Sequence, residues 1–533
     1  MVKEKEIQDK EKLSKSTKKG SKNRLRIFRI IISVICFSLI TFFFLDFSGL
    51  LPNTFHILAH FQFIPALIAL GSGISILILL SLLVLTLLFG RIYCSSLCPM
   101  GIYQDIVGWI SKKTARKKKR YKFKKAQNIL RWSIVALTIL TFFSGFSLFI
   151  GLLDPYSAYG RMATHLFKPI YAAGNNVLAS VFNHFGNYSF YKVDISILSI
   201  SSFIIALLTL FSIGFLAWKY GRTYCNTICP VGTLLGFLSK YSIFKIQIDA
   251  EKCNHCGSCA TKCKAYCIDS KAQTIDYSRC VDCFNCLDSC SRNALKFAPN
   301  KALSKKQETP ADLKKRQFLT TVLFTGVTAP QVFAKKKHAE LSNKGNHVRQ
   351  IPISPPGAIS AEHLQKHCTS CHLCISKCPS NVIKPAFLEY GIGGMMQPMM
   401  FYEKGFCNYN CTICTDVCPN AALKPLTIEE KRLTQIGKVV FIEEICVVHT
   451  NETNCGACAE HCPTQAVKMI PYKGELTIPK ITTEICIGCG GCEFICPVRP
   501  HRAIFIEGNP VHLAALPFED EEKTEVVIDD FGF

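Results

Sequence analysis

Cys486–Pro497 reads CIGCGGCEFICP. Its spacing, Cys-x2-Cys-x2-Cys-x3-Cys-Pro, is one that holds a 4Fe–4S cubane: three thiolates wrap one cluster, and the fourth, ahead of the proline, reaches to a neighbouring cluster. Around Cys486, Cys489, Cys492 and Cys496 the chain repeats the device five more times, intact or altered. The other sets are Cys253, Cys256, Cys259, Cys263; Cys280, Cys283, Cys286, Cys290; Cys368, Cys371, Cys374, Cys378; Cys407, Cys411, Cys414, Cys418; and Cys446, Cys455, Cys458, Cys462. Two shorter copies, Cys94 with Cys98 and Cys225 with Cys229, leave only Cys36 and Cys267 outside any set. One four-cysteine run can hold zinc; six in series read as an electron wire of six 4Fe–4S clusters.

Composition agrees with metal rather than disulfides. The 30 cysteines cluster at Cys-x2-Cys spacing, unlike a secreted disulfide scaffold. Soft thiolates select iron–sulfur clusters, zinc or Cu(I). At 533 residues there is room for three or four domains, and 49% hydrophobic content calls for a membrane part. The net charge of +24 sits beside apolar stretches, which points to topology and anionic lipid. No aromatic-interleaved basic groove accompanies it, so nucleic acid is not expected as a partner.

The hydrophobic pattern predicts four spans after a basic, unstructured tail over 1–26: roughly Ile30–Leu51, Ala66–Phe89, Ile129–Leu152 and Ile195–Ala217. A hydrocarbon core of ~30 Å needs about 20 residues at ~1.5 Å each. Lys112–Lys125 carries ten basic residues, whereas the loops Pro52–Phe63 and Asp154–Asp194 carry few. The positive-inside rule then puts both ends of this four-helix membrane domain, 27–240, in the cytoplasm. The same run read as a nucleic-acid or calmodulin-type patch is the blander alternative.

The second and fourth spans end alike, in GRIYCSSLCPMG (Gly90–Gly101) and GRTYCNTICPVG (Gly221–Gly232). Cys-x3-Cys puts two thiols on one face of a helix. Two such halves related by a pseudo-twofold offer four thiolates. Cys94, Cys98, Cys225 and Cys229 are therefore a candidate seventh metal site; metal-free thiol turns and redox-active dithiols are the alternatives.

The repeated Gly-Arg-x-Tyr-Cys-x3-Cys-Pro, followed by two cluster motifs, resembles the NapH/MauN family of membrane ferredoxins over residues 25–300. NosR-like regulators and the CcoG group share related parts. Leu153–Arg161, LDPYSAYGR, also looks like this family's outer loop. The resemblance implies quinol-linked electron transfer in systems such as periplasmic nitrate reductase.

A two-cluster ferredoxin domain is predicted over 245–300. By the crossed rule, Cys253, Cys256 and Cys259 share a cluster with Cys290, and Cys280, Cys283 and Cys286 share one with Cys263. Lys264 and Ser291 replace the usual prolines, a change that costs no ligand. Cys267 reads as a spare buried thiol, with Ile268, Ile275 and Val281 packing around the cubanes.

A polar linker, 301–340, contains KKRQFLTTVLFTGVTAPQVFA (Lys314–Ala334), with a basic start, a modest apolar stretch and a small-residue end. It reads as a signal-like segment or fifth transmembrane crossing; an amphipathic linker helix is the alternative. A crossing would put the following domain in the periplasm.

That domain, 341–515, opens with PPGAISAEHL (Pro355–Leu364) and resembles the NapG/MauM family of four-cluster periplasmic ferredoxins over 315–510. Cys407-x3-Cys411 and Cys446-x8-Cys455 have lengthened first gaps, tolerable for a ligand on a flexible segment. Adjacent and nested motif pairings both fit the spacing. Cys368–His372 spells a c-type haem signal, but the cluster motif already uses both cysteines. Met395, Met396, Met399 and Met400 read as packing that shields a cluster rather than Cu(I) ligands. His56 and His60 are candidate quinol contacts, with interfacial packing the alternative. The acidic tail, 516–533, reads as a solvated or docking segment.

No flavin or dinucleotide fingerprint and no P-loop appears; Gly391–Gly394 lacks the context one requires. The expectation is a multidomain membrane protein: an α-helical four-span or five-span bundle plus α+β ferredoxin-like iron–sulfur domains. It would be a membrane-bound polyferredoxin of the bacterial inner (cytoplasmic) membrane, its first ferredoxin domain cytoplasmic and its second periplasmic. It would pass electrons from the quinol pool to a redox partner protein, a reductase or cytochrome. The alternatives are an electron-donating maturation or metal-reduction factor, and a sensor.

Overall fold

A computed structural model describes residues 2–46, 57–71, 73–114, 121–195, 199–300 and 349–517. The linker segment Lys314–Ala334, His56, the acidic end and the middle of the Lys112 run lie outside those residues. The chain divides into two units, Met1–Asn343 with Lys366–His372, and Lys344–Gln365 with Leu373–Phe533.

In the first unit, α1 (Val2–Leu45) takes in both the basic tail and the first apolar stretch. The tail, expected to be unstructured, is therefore helical, as its lysines and glutamates favour. The apolar part, Arg24–Leu45, and α6 (Ile200–Tyr220, defined with its neighbours below) are the two described helices long and apolar enough to cross a bilayer. The predicted second and third spans are shorter: α2 (Gly73–Phe89) has 17 residues and α4 (Asn128–Phe143) has 16. At ~1.5 Å per residue each falls several ångströms short of a ~30 Å core. Breakers explain the shortening. Phe63–Ile68 forms a separate short helix before Gly71 and Gly73, and Gly145, with φ +78°, follows the end of α4 before Leu148–Leu153 starts a new turn. The four-span bundle is thus met in part. Leu77, Leu80 and Val84 on α2, Leu137 and Leu140 on α4, and Leu208, Phe211 and Phe215 on α6 all point outward. Water-exposed apolar surface on that scale is unusual for a soluble monomer.

Between these helices lie α3 (Pro99–Thr114) and α5 (Pro155–Met162); α7 (Pro230–Ser239) follows α6. Both α3 and α7 start at the proline of a Cys-x3-Cys-Pro copy, proline being suited to a first helical position. Asp154 caps α5, accepting from Tyr156 N and Ser157 N.

After α7 the chain forms β1 (Phe244–Ile248), a small hairpin of β2 (Ile268–Asp269) and β3 (Thr274–Ile275), and β4 (Leu295–Pro299). β1 pairs antiparallel with β4, Phe244 opposite Pro299 and Ile248 opposite Leu295. This closes a small α+β domain over the two cysteine motifs.

Among its described residues the second unit holds three antiparallel pairs: β5 (Ile383–Pro385) with β6 (Pro398–Met400), β7 (Thr434–Phe441) with β10 (Ile504–Ala514), and β8 (Val467–Pro471) with β9 (Thr477–Ile481). The glycines of CIGCGGC have a steric cause. Gly490 has φ +82°, and a Cβ there would run into the Tyr402 ring, whose hydroxyl donates to Gly488 O at 2.7 Å. A Cβ on Gly488 would meet Gly437 N at 2.7 Å, in β7.

Candidate iron–sulfur centres

Four of the six cysteine loops share one backbone device. On both sides of the second cysteine the chain turns left-handed: His255 and Gly257, Asp282 and Phe284, Ser370 and His372, Gly488 and Gly490. Alternating turns of this kind aim successive N–H groups into a concavity, an anion-binding arrangement found at many iron–sulfur sites. In the two motifs with lengthened first gaps, Thr412 and Gly456, directly after the second cysteine, keep φ at −116° and −121°. The insertion removes the local turn and leaves the thiols to the surrounding fold.

The thiols come together in crossed sets. Cys263, Cys280, Cys283 and Cys286 line one pocket walled by Ile246, Ile268, Ile275 and Val281. Cys253, Cys256 and Cys290 are the charges that Cys259 feels. Both sets match the crossed rule. In the second unit Cys378 joins Cys407, Cys411 and Cys414 around one pocket, and Cys496 joins Cys446, Cys455 and Cys458 around another. Cys462 lies in the field of Cys486, Cys489 and Cys492. Pairing is therefore between adjacent motifs, not nested ones. Met400 lines the Cys378 cavity, and Met396 and Met399 are buried nearby, as packing requires.

Among the described residues no three His, Cys, Asp or Glu side chains converge on a single metal ion. The crossed sets fit a larger group, since a cubane presents each thiolate with its own iron.

Cys94, Cys98, Cys225 and Cys229 also meet. All four are buried, and burial first, then the neighbouring thiols, pushes Cys98, Cys225 and Cys229 up. The pseudo-twofold is visible in reciprocal contacts. Arg222 Nη1 donates to Cys94 O at 2.6 Å, and Arg91 Nη2 to Cys225 O at 3.1 Å. Gly101 lies against Cys94 O just as Gly232 lies against Cys225 O, so neither position admits a side chain. Gln104 Nε2 lies 3.0 Å from Cys225 Sγ, and Gly232 N donates to Cys229 Sγ at 3.3 Å. Both arginines are fully buried, and Arg91 Nε and Arg222 Nη2 lack any acceptor. Orphaned guanidinium N–H groups beside four thiols fit an anionic occupant; a thiolate-held cluster would supply the missing negative charge.

Asp105 on α3 gathers Arg222 at 2.7 Å, Lys264 at 2.5 Å and Arg29 at 3.3 Å. Despite burial, those cations hold its carboxyl well below the usual range. The site is tied to the following ferredoxin loop: Arg91 N donates to Asp282 Oδ2 at 3.1 Å and Arg91 Nη1 to Ser278 O at 3.1 Å. Burial pushes Asp282 up to about 7.

Sequence reasoning recorded Gly-Arg in both repeats without giving the arginines a role; their repetition ahead of each cysteine pair was the available signal. It gave no sign of Asp105 or Asp282. Cys36, half-buried on α1, joins no set, and His60 closes the short helix Ile57–His60.

Three family models match. A 4Fe–4S binding domain covers 72–118 and 199–248, which hold the two Gly-Arg-x-Tyr-Cys-x3-Cys-Pro repeats, and 4Fe–4S dicluster domains cover 276–382 and 453–499. The last coincides with the paired third and fourth motifs of the second unit; the match over 276–382 straddles two motifs that the structure pairs elsewhere. Curated relatives include a putative electron transport protein, YccM, of Escherichia coli (27% identical over 44% of this chain and 58% of the relative). A methylamine utilization ferredoxin-type protein, MauM, of Methylobacillus flagellatus is 29% identical over 27% of this chain and 63% of the relative. The ferredoxin-type protein NapH of Escherichia coli is 23% identical over 43% of this chain and 68% of the relative. The chain thus spans a little over half of the YccM length. No solved structure matches.

Fold and thiol sets together define an iron–sulfur protein of the ferredoxin type. More particularly, it is similar over part of its length to the ferredoxin-type proteins NapH and MauM.

Proposed function

We propose that this protein is a membrane-bound polyferredoxin that takes electrons from a quinol and delivers them to a partner oxidoreductase. It would carry six 4Fe–4S clusters on the 24 ferredoxin cysteines. A seventh would sit on Cys94, Cys98, Cys225 and Cys229. When bound, such clusters accept and release single electrons at potentials set by cluster type, hydrogen bonding and exposure.

The observation that carries the reading is the join between the helix-end thiols and the ferredoxin loop. Arg91 touches the Cys94 sulfur at 3.8 Å, the Cys225 carbonyl, the Asp282 carboxylate and the Ser278 carbonyl. One rigid residue thus bridges a site at the ends of apolar helices and the loop holding Cys280 and Cys283. Outward apolar faces on α2, α4 and α6 support a bilayer around them, and the basic Lys112 run supports a cytoplasmic first ferredoxin domain. The relatives' names support electron transport as the class. The quinol, the partner, the four crossings and a periplasmic second ferredoxin domain belong to this proposal.

The test is anaerobic EPR of the purified full chain mixed with a reduced menaquinol analogue. Reduction of cluster signals, lost when Cys94, Cys98, Cys225 and Cys229 are all changed to serine, is expected. Clusters that dithionite reduces but the quinol does not would refute quinol as the donor.

A further inference from the structure

Cys267 does not stand apart from the iron–sulfur sites. It is buried and lines the same cavity as Cys263, Cys280, Cys283 and Cys286, so five thiols face one space. Its Sγ lies 3.5 Å from Cys263 Sγ.

The repeats supply an internal control. Three residues past the fourth cysteine the chain turns left-handed in five of six motifs, at Tyr266, Asn293, Asn381, Ala421 and Gln465. The turn carries the next residue inward beside the thiols. That residue is Ala294, Val382, Ala422 or Ala466 in the sister motifs, each buried and without a polar group. The last motif has Pro500 there instead, and only the first has a thiol. Position 267 is therefore a packing position that this one motif fills with a hydrogen-bond donor. A cysteine bound to iron is deprotonated and can only accept. The remaining proton in the Cys263–Cys267 contact then belongs to Cys267, and the S–H points at a ligand sulfur.

We propose that Cys267 is a positioning residue for the cluster of Cys263, Cys280, Cys283 and Cys286: its S–H donates to the ligand thiolates and raises that cluster's reduction potential above that of its partner on Cys253, Cys256, Cys259 and Cys290. Adding an electron makes the cluster more negative, so a donor to its sulfur stabilises the reduced form more than the oxidised one. The tuned cluster is the one whose loop meets Arg91 through Asp282, on the side from which the membrane site would feed it. A higher potential there draws the electron forward into the ferredoxin domain. No bond is made or broken in the step; one electron enters, and the Cys267 proton stays where it is.

This inference rests on the cluster reading, and the two fail differently. The full chain would be prepared anaerobically as wild type, Cys267→Ala and Cys267→Ser, with iron and sulfide assayed before EPR-monitored redox titration. Cys267→Ala, which installs the residue found in the sister motifs, should keep the iron content. It should shift one midpoint to lower potential and leave the others in place. Cys267→Ser, which keeps a donor, should recover part of the shift. Unchanged midpoints in Cys267→Ala would overturn the inference while leaving the clusters intact. Loss of one cluster's iron and sulfide in both variants would overturn it differently, by making Cys267 a ligand in place of Cys263. Cys263→Ser checks that outcome: it should lose or alter this cluster, and a normal cluster there would contradict the assignment. Iron-free wild-type protein would instead sink the cluster reading itself.

Discussion

At the scale of single residues, the buried charges carry the most weight. Asp105 neutralises Arg222 and meets Lys264 and Arg29, so Asp105→Asn leaves cations buried without a carboxylate. Breaking a buried pair from one side costs about 3–5 kcal/mol. We therefore expect Asp105→Asn to lower the thermal unfolding midpoint of the detergent-solubilised chain strongly, while an exposed carboxylate such as Glu251, changed to Gln, moves it little. The pH dependence follows from the sign of the shift. A carboxylate whose folded pKa is depressed contributes stability that is complete above its unfolded pKa of about 4 and is lost as pH falls through the folded value. Acidifying from pH 8 to about pH 5.5 should thus leave the Asp105 contribution whole, and loss of the wild-type/Asp105→Asn difference in that window would contradict the pairing. The buried arginines make a second test. Arg91→Lys keeps a charge but loses the planar fork that reaches Asn226, Ser278 and Cys225 O together. Iron bound per chain should fall by the amount one cluster holds, and an unchanged content would show that the guanidinium supports no occupant.

At the scale of elements, the cysteine loops were legible in the sequence because ligand spacing is a local property. The crossed pairing of the first ferredoxin domain followed from the same locality. The pairing of the second did not, since it depends on which short helices pack together: Leu373–Lys377 against Ile413–Asp416, and Ala457–Glu460 against Gly491–Ile495. Helix ends were less legible. Hydropathy alone ran the second and third spans through Gly71, Gly73 and Gly145, where the backbone breaks, and left the lysine-rich tail without a helix although its residues favour one. Tertiary partners such as Asp105 and Asp282 had no sequence signal, because an aspartate carries no periodicity that marks it as buried. The glycines of CIGCGGC give a prediction at this scale. Gly490→Ala puts a methyl into the Tyr402 ring at a left-handed position, so the cluster of Cys462, Cys486, Cys489 and Cys492 should be lost or destabilised. EPR signal counts against Gly474→Ala, an open position with φ +59°, would separate collision from backbone strain.

For the whole molecule, the thiol sets form a series whose first member lies at the ends of apolar helices and whose next is joined to it through Arg91. On the proposed reading, electron flow through that series requires every set to be filled, including the one on Cys94, Cys98, Cys225 and Cys229. The most direct measurement is iron and acid-labile sulfide per chain in protein prepared without oxygen, for the wild type and for the variant with Cys94, Cys98, Cys225 and Cys229 all changed to serine. Seven cubanes correspond to about 28 iron atoms, and the variant should hold about 24. A wild type that is colourless and nearly iron-free would contradict the account at its root; equal iron in the two proteins would remove the membrane centre and with it the entry point proposed for quinol electrons.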